Sequence, residues 1–191
     1  MRVVFSGHRI DERGRQFERF PPRCKAAVQQ AIRTALQQVV ANSESEVSGI
    51  ASLASGGDIL FHEACADLGV TSTIYLPLPA PDFIRQSVLS GGVRWVWRAM
   101  KLLRTHEIRN ASELDARVPG SGESGPAVFE RANIWMLDDN ESADAPVMVL
   151  ALWDGVTSGQ LPGGTWQMVD LARSRGIPVQ ILDMNALRNR A

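Results

Sequence analysis

Four short turns in this chain carry residue types that can hold or act on an anion. Pro162-Gly163-Gly164-Thr165 precedes a segment with helical spacing, Trp166 to Arg175. Glycines ahead of a helix let backbone N–H groups and the positive end of the helix dipole approach a phosphate or carboxylate closely. Trp153-Asp154-Gly155 sets a carboxylate beside a ring that can stack on a base or cover the edge of a sheet. Gly7-His8-Arg9 joins a small residue to an imidazole and to a guanidinium able to bond an anion in bidentate fashion. Ser55-Gly56-Gly57-Asp58 repeats the glycine-rich pattern at the start of another helix. There Asp58 can cap the helix N-terminus or accept from a ribose hydroxyl.

The remaining polar residues form weaker patterns. His62 lies four residues after Asp58 and shares its helical face. Two donors without further partners do not make a metal site, so no metal is expected and His62 reads as structural. Cys24 and Cys65 are far apart and form neither a C-x-x-C nor a zinc pattern, which fits reduced, structural thiols.

The turns need rigid elements to position them, and the hydrophobic pattern supplies these. Arg2–Ser6, Val47–Ala54, Thr71–Leu76, Val147–Leu152 and Ile177–Leu182 read as strands. The run Val147–Leu152 carries no charge and is too short to span a bilayer, which suits a strand buried on both faces of a sheet. Helical spacing covers roughly Arg23 to Val40, Ile59 to Leu68, Val93 to Leu103, Pro126 to Leu137 and Trp166 to Arg175. Strands alternating with helices predict an α/β fold, a single Rossmann-like doubly wound domain with a mostly parallel five-stranded sheet and helices on both faces. The commonest strand order places the first strand beside the fourth, so the winding reverses between Gly7-His8-Arg9 and Trp153-Asp154-Gly155. Ligands bind at that reversal, beyond the carboxyl ends of the strands.

Residues 110–125, with Pro-Gly-Ser-Gly-Glu-Ser-Gly at their heart, lack apolar periodicity and are expected to form a mobile loop. The 191 residues suit one domain with a sizeable core, and the composition (45% hydrophobic, 21% charged) is that of an ordinary globular chain. The net charge of −1 provides no broad basic field for nucleic acid or an anionic membrane. Without a secretory signal or a spanning run, a cytoplasmic location is expected. Trp95 and Trp97 fall on opposing sides of a helix, so at least one is exposed in a monomer and available for a subunit interface.

Ser6-Gly7-His8-Arg9 after the first strand, Ala54-Ser55-Gly56-Gly57-Asp58 after the second, and Leu152-Trp153-Asp154-Gly155 followed by Pro162-Gly163-Gly164-Thr165 resemble the SLOG superfamily. This Rossmann-like group includes the Lonely Guy phosphoribohydrolases, DNA-processing protein A and the YpsA-like proteins. The resemblance spans nearly the whole chain except Leu89 to Gly125. It implies a nucleotide or nucleotide-derived ligand, and homodimers. Lonely Guy enzymes carry PGGxGTxxE, whose Glu works with an Arg from the preceding helix to cleave an N-glycosidic bond. Here the position three beyond Thr165 is Met168, and Asp170 points to a different face of the helix. Arg131 matches the family Arg. With that Glu absent, the expected function is binding of a phosphate-bearing ligand by Gly163, Gly164 and Thr165, with Arg9 and Arg131 supplying charge. Gly56 and Gly57 would admit a ribose or second phosphate. The alternative is a nucleotide N-glycosidase that uses a relocated carboxylate, Asp58 or Asp154.

Overall fold

A computed structural model describes residues 1–111, 126–139, 145–157 and 163–190 of the chain. The strands are β1 (Arg2–Gly7), β2 (Ser48–Ala51), β3 (Thr71–Leu76), β4 (Glu107–Asn110), β5 (Val147–Trp153) and β6 (Val179–Asp183). They form one sheet in the order β4-β3-β2-β1-β5-β6, and every pairing is parallel. The expected α/β doubly wound arrangement is therefore present, with the first and fourth expected strands adjacent as β1 and β5. The sheet has six strands rather than five. The additional strand, β4, is a four-residue edge with Ile108 as its one large apolar side chain, too short and too polar to stand out as a period-two run. Asn110 ends this strand, and residues 112–125 of the expected mobile loop lie outside the described residues.

The helices are α1 (Lys25–Asn42), α2 (Gly57–Asp67), α3 (Ala80–Phe83), α4 (Val93–Thr105), α5 (Pro126–Asp138), α6 (Thr165–Ser174) and α7 (Met184–Asn189). Strand alternation sorts them into two layers. Val3, Phe5, Leu150 and Leu152 pack with Val28, Ile32, Phe61, Ala99 and Met184, from α1, α2, α4 and α7. Val4, Val149 and Ala151 point the other way, onto Met136, Leu137, Met168 and Val169 of α5 and α6. Burial of β1 and β5 on both faces explains why their sequences are continuous apolar runs. Trp95 is buried in the first layer, whereas Trp97 on the same helix is 71% exposed. Cys24 and Cys65 are free and buried. No helix among the described residues is long and apolar enough to cross a membrane, and no group of three or more His, Cys, Asp and Glu among them could hold a metal ion.

The second expected strand ends at Ala51, beyond which the Ser52 carbonyl lies against His62 and the Ala54 N–H donates to Asp58. His62, fully buried on α2, anchors that turn: its Nε2 lies 2.9 Å from the Ser52 carbonyl and its Nδ1 2.9 Å from Ser72 Oγ. A carbonyl can only accept, so Nε2 carries the proton and Nδ1 accepts from the serine hydroxyl. Burial lowers the imidazole pKa from 6.5 to about 4, so the folded ring is neutral. Its contribution to stability is fully present above about pH 6.5 and is lost as the pH falls towards 4, an effect on the order of 3 kcal/mol. In an NMR titration the His62 ring should stay neutral down to about pH 4. A ring signal that titrates near 6.5 in the folded protein would show that the buried hydrogen bonds do not form.

Candidate functional site

The carboxyl ends of β1, β2 and β5 open into a cleft of about 1350 Å³, at the reversal of winding. Its centre is an ionic clamp between the end of β5 and the loop that follows β1. Asp154 Oδ2 accepts from Arg19 Nε at 3.0 Å, and Val156 N–H donates to Oδ1 at 3.1 Å. Asn185, on α7, donates to the Asp154 carbonyl at 2.8 Å. His8 Nε2 lies 3.1 Å from both Arg19 Nη2 and Asp154 Oδ1, and 3.2 Å from the Asp154 N–H. Two of these three neighbours are N–H donors, and burial lowers the His8 pKa. The neutral ring therefore accepts at Nε2, and Arg19 supplies the positive charge that faces Asp154. Burial alone would raise the Asp154 pKa, but the hydrogen bonds it accepts from Arg19 and the Val156 N–H outweigh this and hold the carboxyl well below the usual carboxylate range.

The loop carrying Arg19 is closed at its neck by Asp11. The Asp11 N–H donates to the Phe20 carbonyl at 2.9 Å, and Asp11 Oδ2 accepts from the N–H groups of Arg19 and Phe20 at 2.9 and 3.0 Å. This holds residues 12–18 as a compact excursion over the cleft.

Asp58 is buried at the cleft floor. Its Oδ2 accepts the Ala54 N–H at 3.1 Å, and the Gly7 N–H also bonds the carboxyl. Burial raises its pKa to about 7 against those hydrogen bonds and the nearby Arg9 charge. Asp58 thus ties the β1 and β2 turns together instead of capping α2. Gly56, at φ 109°, makes the same approach possible: a Cβ there would lie 2.5 Å from the Ile10 nitrogen and 2.8 Å from the His8 carbonyl oxygen. The space beside Gly56 is filled by the neighbouring turn, not left for a ribose.

At the start of α6, Gly163 N–H donates to Gln167 Oε1 at 2.9 Å. Gln167 in turn accepts from Asn133 Nδ2 at 3.1 Å. Gly163 (φ 87°) is required because a Cβ would fall 2.3 Å from that of Phe129. Its N–H is therefore engaged within the protein, which corrects the expectation that it holds the anion. Those of Gly164 and Thr165, at the N-cap and first turn of α6, have no acceptor among the described residues. Ser6 Oγ, at the end of β1, lies 3.4 Å from Thr165 Oγ1.

Of the residues expected at the site, Gly7, His8, Arg9, Asp58, Asp154, Gly163, Gly164 and Thr165 line the cleft. Ser55, Gly56, Gly57, Gly155, Arg131 and Trp153 do not. Ser55 is fully buried, its N–H bonded to the Ser87 carbonyl. Gly155 is an exposed turn residue at φ 81°. Trp153 is 6% exposed and packs in the second core layer, covering the sheet rather than offering a stacking face. On α5 the cleft wall is made by Phe129, Ala132, Asn133 and Met136, with Arg131 outside it.

The cleft also takes Arg15, Arg19, Arg23 and Arg188, so five arginines with Arg9 stand against three acids, Glu18, Asp58 and Asp154. Sequence reading passed over this rim because it comes from one charged loop and from the C-terminal helix, 170 positions away. The density of arginine in residues 13–23 was the available signal. Among the described residues Arg9 donates only to the Gln86 carbonyl, at 3.0 Å, and has no carboxylate in ion-pair range.

Asp154→Asn should destabilise the fold by about 2 kcal/mol, the scale of hydrogen bonds to charged groups, because it leaves the half-buried Arg19 without its counter-charge. The urea midpoint measures this. A midpoint equal to that of the wild type would show that the clamp does not hold the loop.

Comparison with known protein families, with characterised proteins and with solved structures returns no match to this chain.

Proposed function

We propose that this chain binds a phosphate-bearing nucleotide or nucleotide-derived ligand in the cleft, as a cytoplasmic sensor or ligand-binding protein of the SLOG type. The observation that carries this is Arg9, a cation without an acidic partner, on the same cleft as the unengaged N–H groups of Gly164 and Thr165. A guanidinium and a helix N-terminus are complementary to a phosphate; Arg9 meets the Gln86 carbonyl but no carboxylate in ion-pair range, and the Gly164 and Thr165 N–H groups have no acceptor among the described residues. The exposed Trp97 is the place where a second copy would pack if the protein is a homodimer.

One observation favours hydrolysis instead. Asp58 is buried at the cleft floor, and that burial pushes its carboxyl up to about 7, the range that suits a general acid or base. Asp154 is unsuited to that role, because its contacts keep it ionised. Incubation with nucleoside monophosphates separates the two activities: release of free base, lost in Asp58→Asn, identifies an N-glycosidase, and intact nucleotide identifies a binding protein.

Arg9→Ala should weaken nucleotide binding by roughly 1.5–3 kcal/mol, with Arg9→Lys recovering only part of the loss. Calorimetry with ADP tests this, and unchanged affinity in Arg9→Ala would turn the side chain out of the site. Affinity should also depend on pH. Below about pH 7 Asp58 is neutral, and above it a further negative charge faces the ligand. Binding should therefore weaken as the pH rises through 7 in the wild type and much less in Asp58→Asn. The same pH slope in both proteins would remove Asp58 from the ligand's surroundings.

A further inference from the structure

Two aromatic side chains stand exposed among the described residues, Phe17 and Trp97. Phe17 lines the cleft already described, and Trp97 does not. Trp97 belongs to a group. Of the eight exposed large apolar side chains among the described residues, four fall in one short stretch: Leu89, Val93, Trp97 and Met100. Val93, Trp97 and Met100 follow one another at helical spacing on α4, with Val93 64% and Trp97 71% exposed. The other side of the helix is buried through Trp95, Ala99 and Leu102. The exposed stripe is thus the outward, convex face of a helix already seated on the core.

The same face is cationic. From Phe83 to His106 the chain carries Arg85, Arg94, Arg98, Lys101 and Arg104, and no Asp or Glu. Two of these cations are engaged. Arg85 pairs with Asp82 at 2.7 Å, and Arg98 Nε donates to Glu63 at 2.7 Å while its guanidinium lies over the Trp95 ring. Arg94, Lys101 and Arg104 are exposed, with no carboxylate in ion-pair range among the described residues. Acids of the adjoining elements are already taken: besides Glu63, Asp67 of α2 pairs with Arg33 at 3.2 Å, and Glu107 of β4 with Arg109 at 3.3 Å. Arg104 continues the Trp97 stripe, and Arg94 and Lys101 flank it two turns apart. The net charge of −1 therefore hides a local positive face.

We infer that this face of α4 docks on an anionic lipid bilayer, with Val93, Trp97 and Met100 at the boundary of headgroups and acyl chains and Arg94, Lys101 and Arg104 against the lipid anions. A helix that is apolar along one stripe and cationic beside it lies in the plane of a membrane interface, and Trp favours that depth. Long cationic side chains keep their stems in apolar surroundings while their charges reach the headgroups. Other occupants match the face less well. The phosphodiester backbone of a nucleic acid offers nothing to Leu89, Val93 and Met100. A second copy seated here by two-fold symmetry would set the same three cations against these. A peptide needs a groove, and no residue of α4 lines the cleft. This docking does not depend on the identity of the cleft's ligand.

Flotation with vesicles of phosphatidylcholine alone, and of an equimolar mixture of phosphatidylcholine and phosphatidylserine, tests the inference. The chain should float with the anionic vesicles and not with the neutral ones, and added salt should release it. Trp97→Ser and Lys101→Glu should each lower the partition coefficient onto anionic vesicles by about tenfold. Both side chains are exposed, so both variants keep the fold, and the urea midpoint verifies this. Absence of flotation with anionic vesicles overturns the inference, and binding of polyglutamate in its place would assign the face to an acidic polypeptide. Equal binding to neutral and anionic vesicles overturns it, because the cations then play no part. Unchanged partitioning in either variant overturns it at that residue. A dimer in sedimentation equilibrium that Trp97→Ser abolishes would give the face to a second copy and overturn it as well.

Discussion

The cleft depends on one carboxylate. Asp154 leaves the end of β5 and holds Arg19, which is otherwise part of an exposed loop after β1, while its own backbone is held by His8 and Asn185. Three segments distant in sequence thus meet around a single buried negative charge. Removing one partner from such a site leaves the other charge desolvated and uncompensated, so the arrangement is held as a unit. Arg19 has a structural task, whereas Arg9 donates to the Gln86 carbonyl and has no carboxylate in ion-pair range among the described residues.

The same division of labour runs through the glycines. A glycine-rich turn beside a helix invites a phosphate, but a turn packed against a second turn needs glycine for a different reason. At Gly56 the missing Cβ makes room for the backbone of His8 and Ile10, and at Gly163 for Phe129. Both residues shape the site by letting protein approach protein. Beyond Gly163, the N–H groups of Gly164 and Thr165 have no acceptor among the described residues.

Two buried titratable groups on α2 work in opposite directions. His62 is held neutral by burial and two hydrogen bonds, so acid costs the fold stability. Asp58 is also held towards its neutral form, but for an acid that means stability present below its ordinary value of 3.8 and lost as the pH rises through about 7. His62 is fully buried on α2 and does not line the cleft. Asp58 borders the cleft, so its ionisation is felt there.

Much of the architecture was legible in the chain, because long-range order here has a local signature. Apolar runs such as Val147–Trp153 announce strands buried on both faces, and their alternation with amphipathic helices leaves few topologies besides a doubly wound sheet. That topology brings Gly7-His8-Arg9 and Asp154 to one edge without any further information. Strand β4 escaped because a short polar edge strand owes its existence to pairing with β3, a tertiary contact. The site divides along the same line. Residue type and spacing identified His8, Arg9, Asp58, Asp154 and the Gly164-Thr165 helix start, all of which follow a strand or open a helix. The sequence could not show that Trp153 faces the core, since which side of a strand end meets the second layer depends on α5 and α6. Nor could it show that Arg19, Arg188 and Phe17 share a cleft. Their meeting is decided by hydrogen bonds between residues as much as 170 positions apart, at Arg188 and Glu18, and no local pattern encodes such a contact.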